Sequence, residues 1–283
     1  MPFTERALST HLFVNQRLTA PILHQIEQAG IRSVEIFCAK QHFDYSNPEQ
    51  VRELAAWFRD HQLQLRSLHA PLYKDEEWGR SHSGATVNIA EPERMRCLQS
   101  VDEIKRALEV AEHIPFRYLV QHLGTSHEEY QQKKFDAAYS SLELLKLFAK
   151  QRGVQILLEN IPNELSTPQR LLEFRLYTRM ADLRICFDIG HAHLTGGVVP
   201  DFEALRDLVV STHIHDNRGD RDDHLFPFQG TIDWEAALRA FAAAKNDFPL
   251  QLELRDHGEF SHPLEKALET FERLEELSVT PHS

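Results

Sequence analysis

Short apolar or β-branched runs alternate along the chain with longer stretches in which apolar positions recur every three to four residues. The first pattern suits strands and the second amphipathic helices, and their regular alternation describes βα units that feed a parallel sheet. Strands are predicted at residues 10–15, 33–37, 64–69, 118–122, 155–159, 184–188, 209–213 and 250–254. Helices are predicted behind them at 20–28, 48–61, 93–113, 135–152, 167–180, 202–207, 234–244 and 263–277. Eight such pairs close an α/β barrel of the (β/α)8 or TIM type. The 283 residues suit one such domain, with a core over about 10–277 and a short C-terminal tail.

Local chemistry supports several boundaries. Ser46-Asn47-Pro48 reads as a cap followed by proline in the first helical turn, and Gly30 and Gly153 lie just past helix ends, where a left-handed backbone is needed. A doubly wound open sheet would carry a glycine-rich phosphate turn after its first strand, and Gln16-Arg17-Leu18-Thr19 is not one. Two connections are long, 70–92 and 215–233, and their aromatic residues, Tyr73, Trp78, Phe226 and Phe228, suit ordered functional loops better than disorder.

Composition narrows the setting. No apolar run approaches the ~20 residues of a membrane span, and the first residues lack the apolar core of a signal peptide. Cys38, Cys97 and Cys186 form no CxxC pattern, so a reducing cytoplasm is expected, with neither a disulfide framework nor a thiolate metal site. The net charge of −12 disfavours nucleic acid as a partner. A homo-oligomer is compatible with the sequence, which fixes no oligomeric state.

Histidine is abundant, with 17 copies, and several stand directly after strand-like runs. Barrel active sites form at the C-terminal ends of the strands. Six successive predicted strands reach a metal-ligand type there: His69, His122, Glu159, Asp188, His213 and Glu253. His191 follows closely in Cys186-Phe187-Asp188-Ile189-Gly190-His191, and the loop after the seventh strand adds Asp222-Asp223-His224. Carboxylates at Glu159, Asp188, Asp222 and Glu253 converging on one mouth would repel one another unless cations neutralised them. Imidazole and carboxylate without thiolate suit Zn²⁺ or Mn²⁺ first, then Co²⁺, Fe²⁺ or Mg²⁺. Nine candidate ligands imply two or three ions, or one ion with several residues facing substrate.

At these residues the chain resembles the xylose-isomerase-like barrel superfamily, which includes sugar isomerases and epimerases, related lyases and endonuclease IV. Its most specific pieces are Cys186-Phe187-Asp188-Ile189-Gly190-His191-Ala192-His193, the stretch from His213-x-x-Asp216 to Asp222-x-His224, and Gly230-Thr231-Ile232-Asp233-Trp234. The resemblance implies a single-ion set of Glu159, Asp188, His213 and Glu253, with the two glutamates as acid and base, as in the epimerase branch. It also implies the extra ligands of the three-zinc endonuclease IV branch at His69, His122, His191, Asp222 and His224.

The expected activity is therefore a divalent-metal-dependent isomerase or epimerase acting on a small sugar, sugar phosphate or keto-sugar. The alternative is a multinuclear phosphoesterase. Trp78, Arg80, Arg218 and Arg255 are the candidate substrate contacts, and Arg221 is a further arginine able to meet a phosphate or carboxylate.

Overall fold

The computed structural model describes residues 3–75 and 85–279. Its strands are β1 (Phe3–Ser9), β2 (Ser33–Phe37), β3 (Gln64–His69), β4 (Tyr118–His122), β5 (Gln155–Glu159), β6 (Arg184–Asp188), β7 (Val209–His213) and β8 (Phe248–Leu252). They form one sheet in which β1 pairs in parallel with both β2 and β8. At the β7–β8 seam, Ile214 N donates to Gln251 O at 2.8 Å and Glu253 N donates to Ile214 O at 3.1 Å. The sheet is thus a nearly closed barrel, and with helices between its strands it is a (β/α)8 TIM barrel.

The helices are α1 (Ala20–Gln28), α2 (Pro48–Asp60), α3 (Arg94–Glu109), α4 (Gln132–Lys150), α5 (Pro168–Thr178), α6 (Ile189–Leu194), α7 (Val198–Leu205), α8 (Trp234–Ala242) and α9 (Pro263–Val279). Asn47 caps α2 by accepting from the backbone N of Glu49 and Gln50. Gly30 and Gly153 take φ of +80° and +73°, the left-handed geometry expected of them. Among the described residues no helix is long and apolar enough to cross a membrane.

Side chains alternate across each strand, and this alternation builds both the core and the site. Outward residues pack under the helices: Phe187 of β6 meets Phe202 of α7 at 5.2 Å and Phe241 of α8 at 6.1 Å between ring centroids. Fully burying such a ring stabilises the fold by roughly 1.5–3 kcal/mol. Tyr118, Val120, Leu157 and Cys186 form a separate buried cluster from alternate positions of β4, β5 and β6. Two residues beyond Val120, Leu157 and Cys186, the same face carries His122, Glu159 and Asp188 at the strand ends.

The first strand differs from expectation. Residues 10–15 do not form it; Thr10–Phe13 is a buried 3-10 turn, and the strand is the preceding Phe3–Ser9. The charges of Glu5 and Arg6 masked it, yet Arg6 is paired with Glu275 at 2.6 Å and Glu5 lies 3.8 Å from Arg66. β8 starts and ends two residues earlier than predicted, so Glu253 directly follows it. Behind β6 stand two helices where one was expected at 202–207, because Asp188 caps α6 at once, its carboxylate accepting from His191 N at 2.7 Å. Helix α9 runs on to Val279, into the expected tail.

Candidate metal centre

Strand register brings the strand-end residues side by side. His122 is the register partner of Glu159, and Asp188 that of His213. Their donor atoms fall into three groups, in each of which one ligand atom per residue lies within 4.8 Å of the others. The groups are His69, His122 and Glu159; Glu159, Asp188, His213 and Glu253; and His191, His215, Asp222 and His224. All nine expected ligands are therefore gathered, and His215 joins them.

Glu159, fully buried, is common to two groups and touches the third. Its Oε2 lies 3.1 Å from His122 Nε2 and 3.4 Å from His69 Nε2, while its Oε1 lies 3.1 Å from His213 Nδ1 and 3.3 Å from His191 Nδ1. Glu253 Oε2 stands 3.2 Å from the same His213 Nδ1. At the rim, Asp222 Oδ2 is 3.0 Å from His191 Nε2 and 3.2 Å from His224 Nε2. His215 Nε2 is 3.0 Å from both oxygens of Asp188.

The second ring nitrogens of three of these histidines are held by the kind of partner that orients metal ligands. His69 Nδ1 is 2.9 Å from Ala70 O, His224 Nδ1 is 3.0 Å from Glu253 O, and His213 Nε2 is 3.0 Å from the carboxylate of Glu35. Glu35 in turn accepts from Ser67 Oγ at 2.8 Å, across a register pair of β2 and β3.

The backbone is shaped around these donors. A Cβ on Gly190 would overlap the ring of His215, and one on Gly230 would overlap Asn217 O and Asp216 Oδ1. Asp216 is the organiser of the β7 loop: it accepts from Asn217 N, Phe228 N, Ile232 N and Trp234 Nε1. His224 sits in this loop at φ +49°, a conformation rare outside glycine and concentrated at functional sites.

The electrostatics fit cations. Burial alone would raise the pKa of Glu159, but His213 and His122 hold it well below the usual carboxylate range. Desolvation likewise opposes the charge on His191 and His213, but Asp188 and Asp222 raise His191, and Cys186 with Glu253, Glu35 and Glu159 raise His213, well above ordinary imidazole. His224 is carried up to about 9 against its own burial, chiefly by Asp222. Burial keeps Glu253 above its ordinary value. Two buried polar atoms in the cluster, His215 Nδ1 and Glu253 Oε1, lack a protein hydrogen-bond partner. A buried set of carboxylates and imidazoles with unsatisfied donors fits divalent ions without thiolate ligands.

Of the expected substrate contacts, Trp78 and Arg80 lie outside the described residues. Arg218 and Arg221 are exposed on the β7 loop. Arg255 is half-buried, and its backbone N donates to His224 O at 3.0 Å. Two site residues escaped the sequence reading. His215 follows His213 by two positions, the spacing that keeps an extended chain on one face. Glu35 is a lone carboxylate in the apolar run Ser33–Phe37 and is fully buried.

With this geometry established, the likeness to known proteins is informative. The Xylose isomerase-like TIM barrel model matches residues 23–277. The chain belongs to that family. It is 28% identical over 275 residues to the uncharacterized protein MJ1311 of Methanocaldococcus jannaschii, covering 93% of this chain and 88% of the relative. It is 27% identical over 203 residues to the probable endonuclease 4 of Natronomonas pharaonis, covering 64% of this chain and 72% of that one. The crystal structure of a D-tagatose 3-epimerase-like protein superimposes with a TM-score of 0.73 at 22% identity, over 97% of this chain and 98% of that chain. At that identity the last likeness is one of fold.

Proposed function

We propose that this family member is a multinuclear, divalent-metal-dependent hydrolase of a phosphoester in a small molecule. One observation carries the reading: three donor groups meet around Glu159, whose two oxygens are each approached by two histidines. A carboxylate engaged on both oxygens is suited to bridging ions and poorly suited to shuttling a proton, which is the task that single-ion isomerisation would set it.

Divalent ions held by these groups would polarise a phosphoryl oxygen and lower the pKa of a water. His69, His122 and Glu159 would hold one ion, Glu159, Asp188, His213 and Glu253 a second, and His191, Asp222 and His224, with His215 beside them, a third. The protein's own residues do the rest. Glu159 fixes the separation of the groups, and Glu35 orients His213. Asp222 is the most open of the ligand carboxylates, its side chain 35% exposed, and it marks the side from which substrate enters. Arg218 and Arg221 stand on the same loop, and a guanidinium fork matches phosphate. The charge of −12 favours a small phosphoester over a nucleic-acid backbone.

A second reading, isomerisation or epimerisation of a small sugar, rests on the complete set Glu159, Asp188, His213 and Glu253, whose glutamates approach one nitrogen of His213 from two directions. The Asp222→Ala, His224→Ala double variant separates the two, because that four-residue set is untouched. Ion content per chain, turnover of a panel of phosphomonoesters and phosphodiesters, and solvent-deuterium exchange into ketoses are measured on wild type and variant. The hydrolase reading expects loss of one ion together with nearly all ester cleavage. Retained turnover after loss of that ion, or deuterium exchange without any ester cleavage, transfers the assignment to the isomerase.

A further inference from the structure

At the end of the barrel opposite the mouth, one donor atom from each of His24, Glu27 and His61 lies within 4.8 Å of the others. His24 and Glu27 share one face of α1, with His24 Nδ1 3.8 Å from Glu27 Oε2. Such an i, i+3 pair is commonplace by itself. What distinguishes it is the third residue and the way each donor is held.

His61 comes from the turn after α2. Its Nδ1 donates to Trp57 O at 2.7 Å, and its ring stacks on Trp57 at 4.0 Å with planes 13° apart. The ring is thereby fixed in orientation and tautomer, and Nε2 is the bare nitrogen an ion needs. Glu27 Oε1 accepts from Gln62 N at 2.7 Å and from Leu63 N at 3.2 Å, which leaves Oε2 as the free oxygen, on the side of His24. These are the supporting contacts that orient ligands in metal sites, a ring N–H on a carbonyl and a carboxylate tied by amides.

From this geometry we propose a second, peripheral metal site formed by His24, Glu27 and His61, separate from the barrel mouth. Two imidazoles and one carboxylate select Zn²⁺, Ni²⁺, Co²⁺ or Cu²⁺ over Mg²⁺ and Ca²⁺, and three protein ligands leave a coordination position for water. A bound ion ties α1 to the turn between α2 and β3. It therefore adds stability that grows with metal concentration, without touching the residues of the mouth.

The test uses the full-length chain and two readouts. Equilibrium dialysis against Zn²⁺ compares ions per chain in wild type and His24→Gln, an exposed substitution that keeps Glu27, His61 and the Trp57 stack. The proposal expects one ion fewer in the variant and unchanged activity. Ni²⁺ quenching of tryptophan emission reports the same site through Trp57, with a midpoint at least about tenfold higher in His24→Gln, as for loss of metal-site contacts elsewhere. Trp57→Phe, which leaves the three ligands in place, removes the quenched component while keeping the Zn²⁺ count. Equal Zn²⁺ counts in wild type and His24→Gln overturn the proposal whatever the quenching curves show.

Discussion

Glu35 Oε1 lies 3.0 Å from His213 Nε2, in a part of the barrel where neither side chain is exposed. Two opposed pulls act on this carboxylate: burial would raise its pKa, and His213 brings it below the ordinary value. It is thus an anion that accepts the Nε2–H of His213 and turns Nδ1 toward Glu159 and Glu253, as the nitrogen an ion would take. Removing its charge while keeping its size, as in Glu35→Gln, is expected to weaken ion binding about 10–100-fold. Competition with a coloured chelator reads the affinity, and a change under about twofold would make Glu35 a mere core residue.

Gly190 makes a different demand. A methyl group there would overlap the His215 ring, which is buried and held against Asp188, so Gly190→Ala must push the ring out of place. The expected cost is about 1–3 kcal/mol of stability, the usual range for an overpacked core. It should be accompanied by loss of the ion assigned to His191, Asp222 and His224. Thermal melting and metal analysis check both, and a variant with wild-type ion content contradicts the tight-fit account.

Away from the mouth, Glu103 gathers Lys40 Nζ at 2.8 Å, Tyr45 Oη at 2.6 Å and Arg106. Burial would raise its pKa, but the bonds from Lys40 and Tyr45 leave it below the usual value. A folded-state pKa below the unfolded one adds stability above pH ~4.3, and that stability is lost as pH falls through the folded value. Glu103→Gln should therefore cost about 1.5–3 kcal/mol at neutral pH. The gap between variant and wild type should close below about pH 4. Melting curves across pH 3–8 test this, and a gap of constant size would remove the charge from the explanation.

Much of this molecule is legible in its sequence. Strands β2 to β7 are apolar runs, those from β3 to β7 end in His, Asp or Glu, and period-two alternation then places those ends on the inner face. Five of the nine candidate ligands, His69, His122, Glu159, Asp188 and His213, follow from that rule and Glu253 lies just past the end of β8, whereas His191, Asp222 and His224 come from the neighbouring motif, the β7 loop and the family resemblance. The division of the nine into three groups is not legible there, because it depends on strand register and on a loop that returns Asp222 and His224 to the mouth. Glu35 was hidden inside a strand, where a carboxylate looks like noise until His213 is seen across the barrel. Residues 10–13 were misread because burial and apolarity are shared by strands and tight turns. Helix α6 was missed because glycine and two histidines are poor advertisements for a helix that Asp188 nevertheless caps.

The web around Asp216 has one more consequence. Asn217, Phe228, Ile232 and Trp234 are all tied to it, and Asp216 and Leu225 exchange backbone hydrogen bonds at 2.8 and 2.9 Å. Residues 218–221 bulge outside these ties and are exposed. The loop is therefore divided into a frame tied to Asp216 and an exposed segment outside it. Substitutions within 218–221 are expected to leave that frame in place.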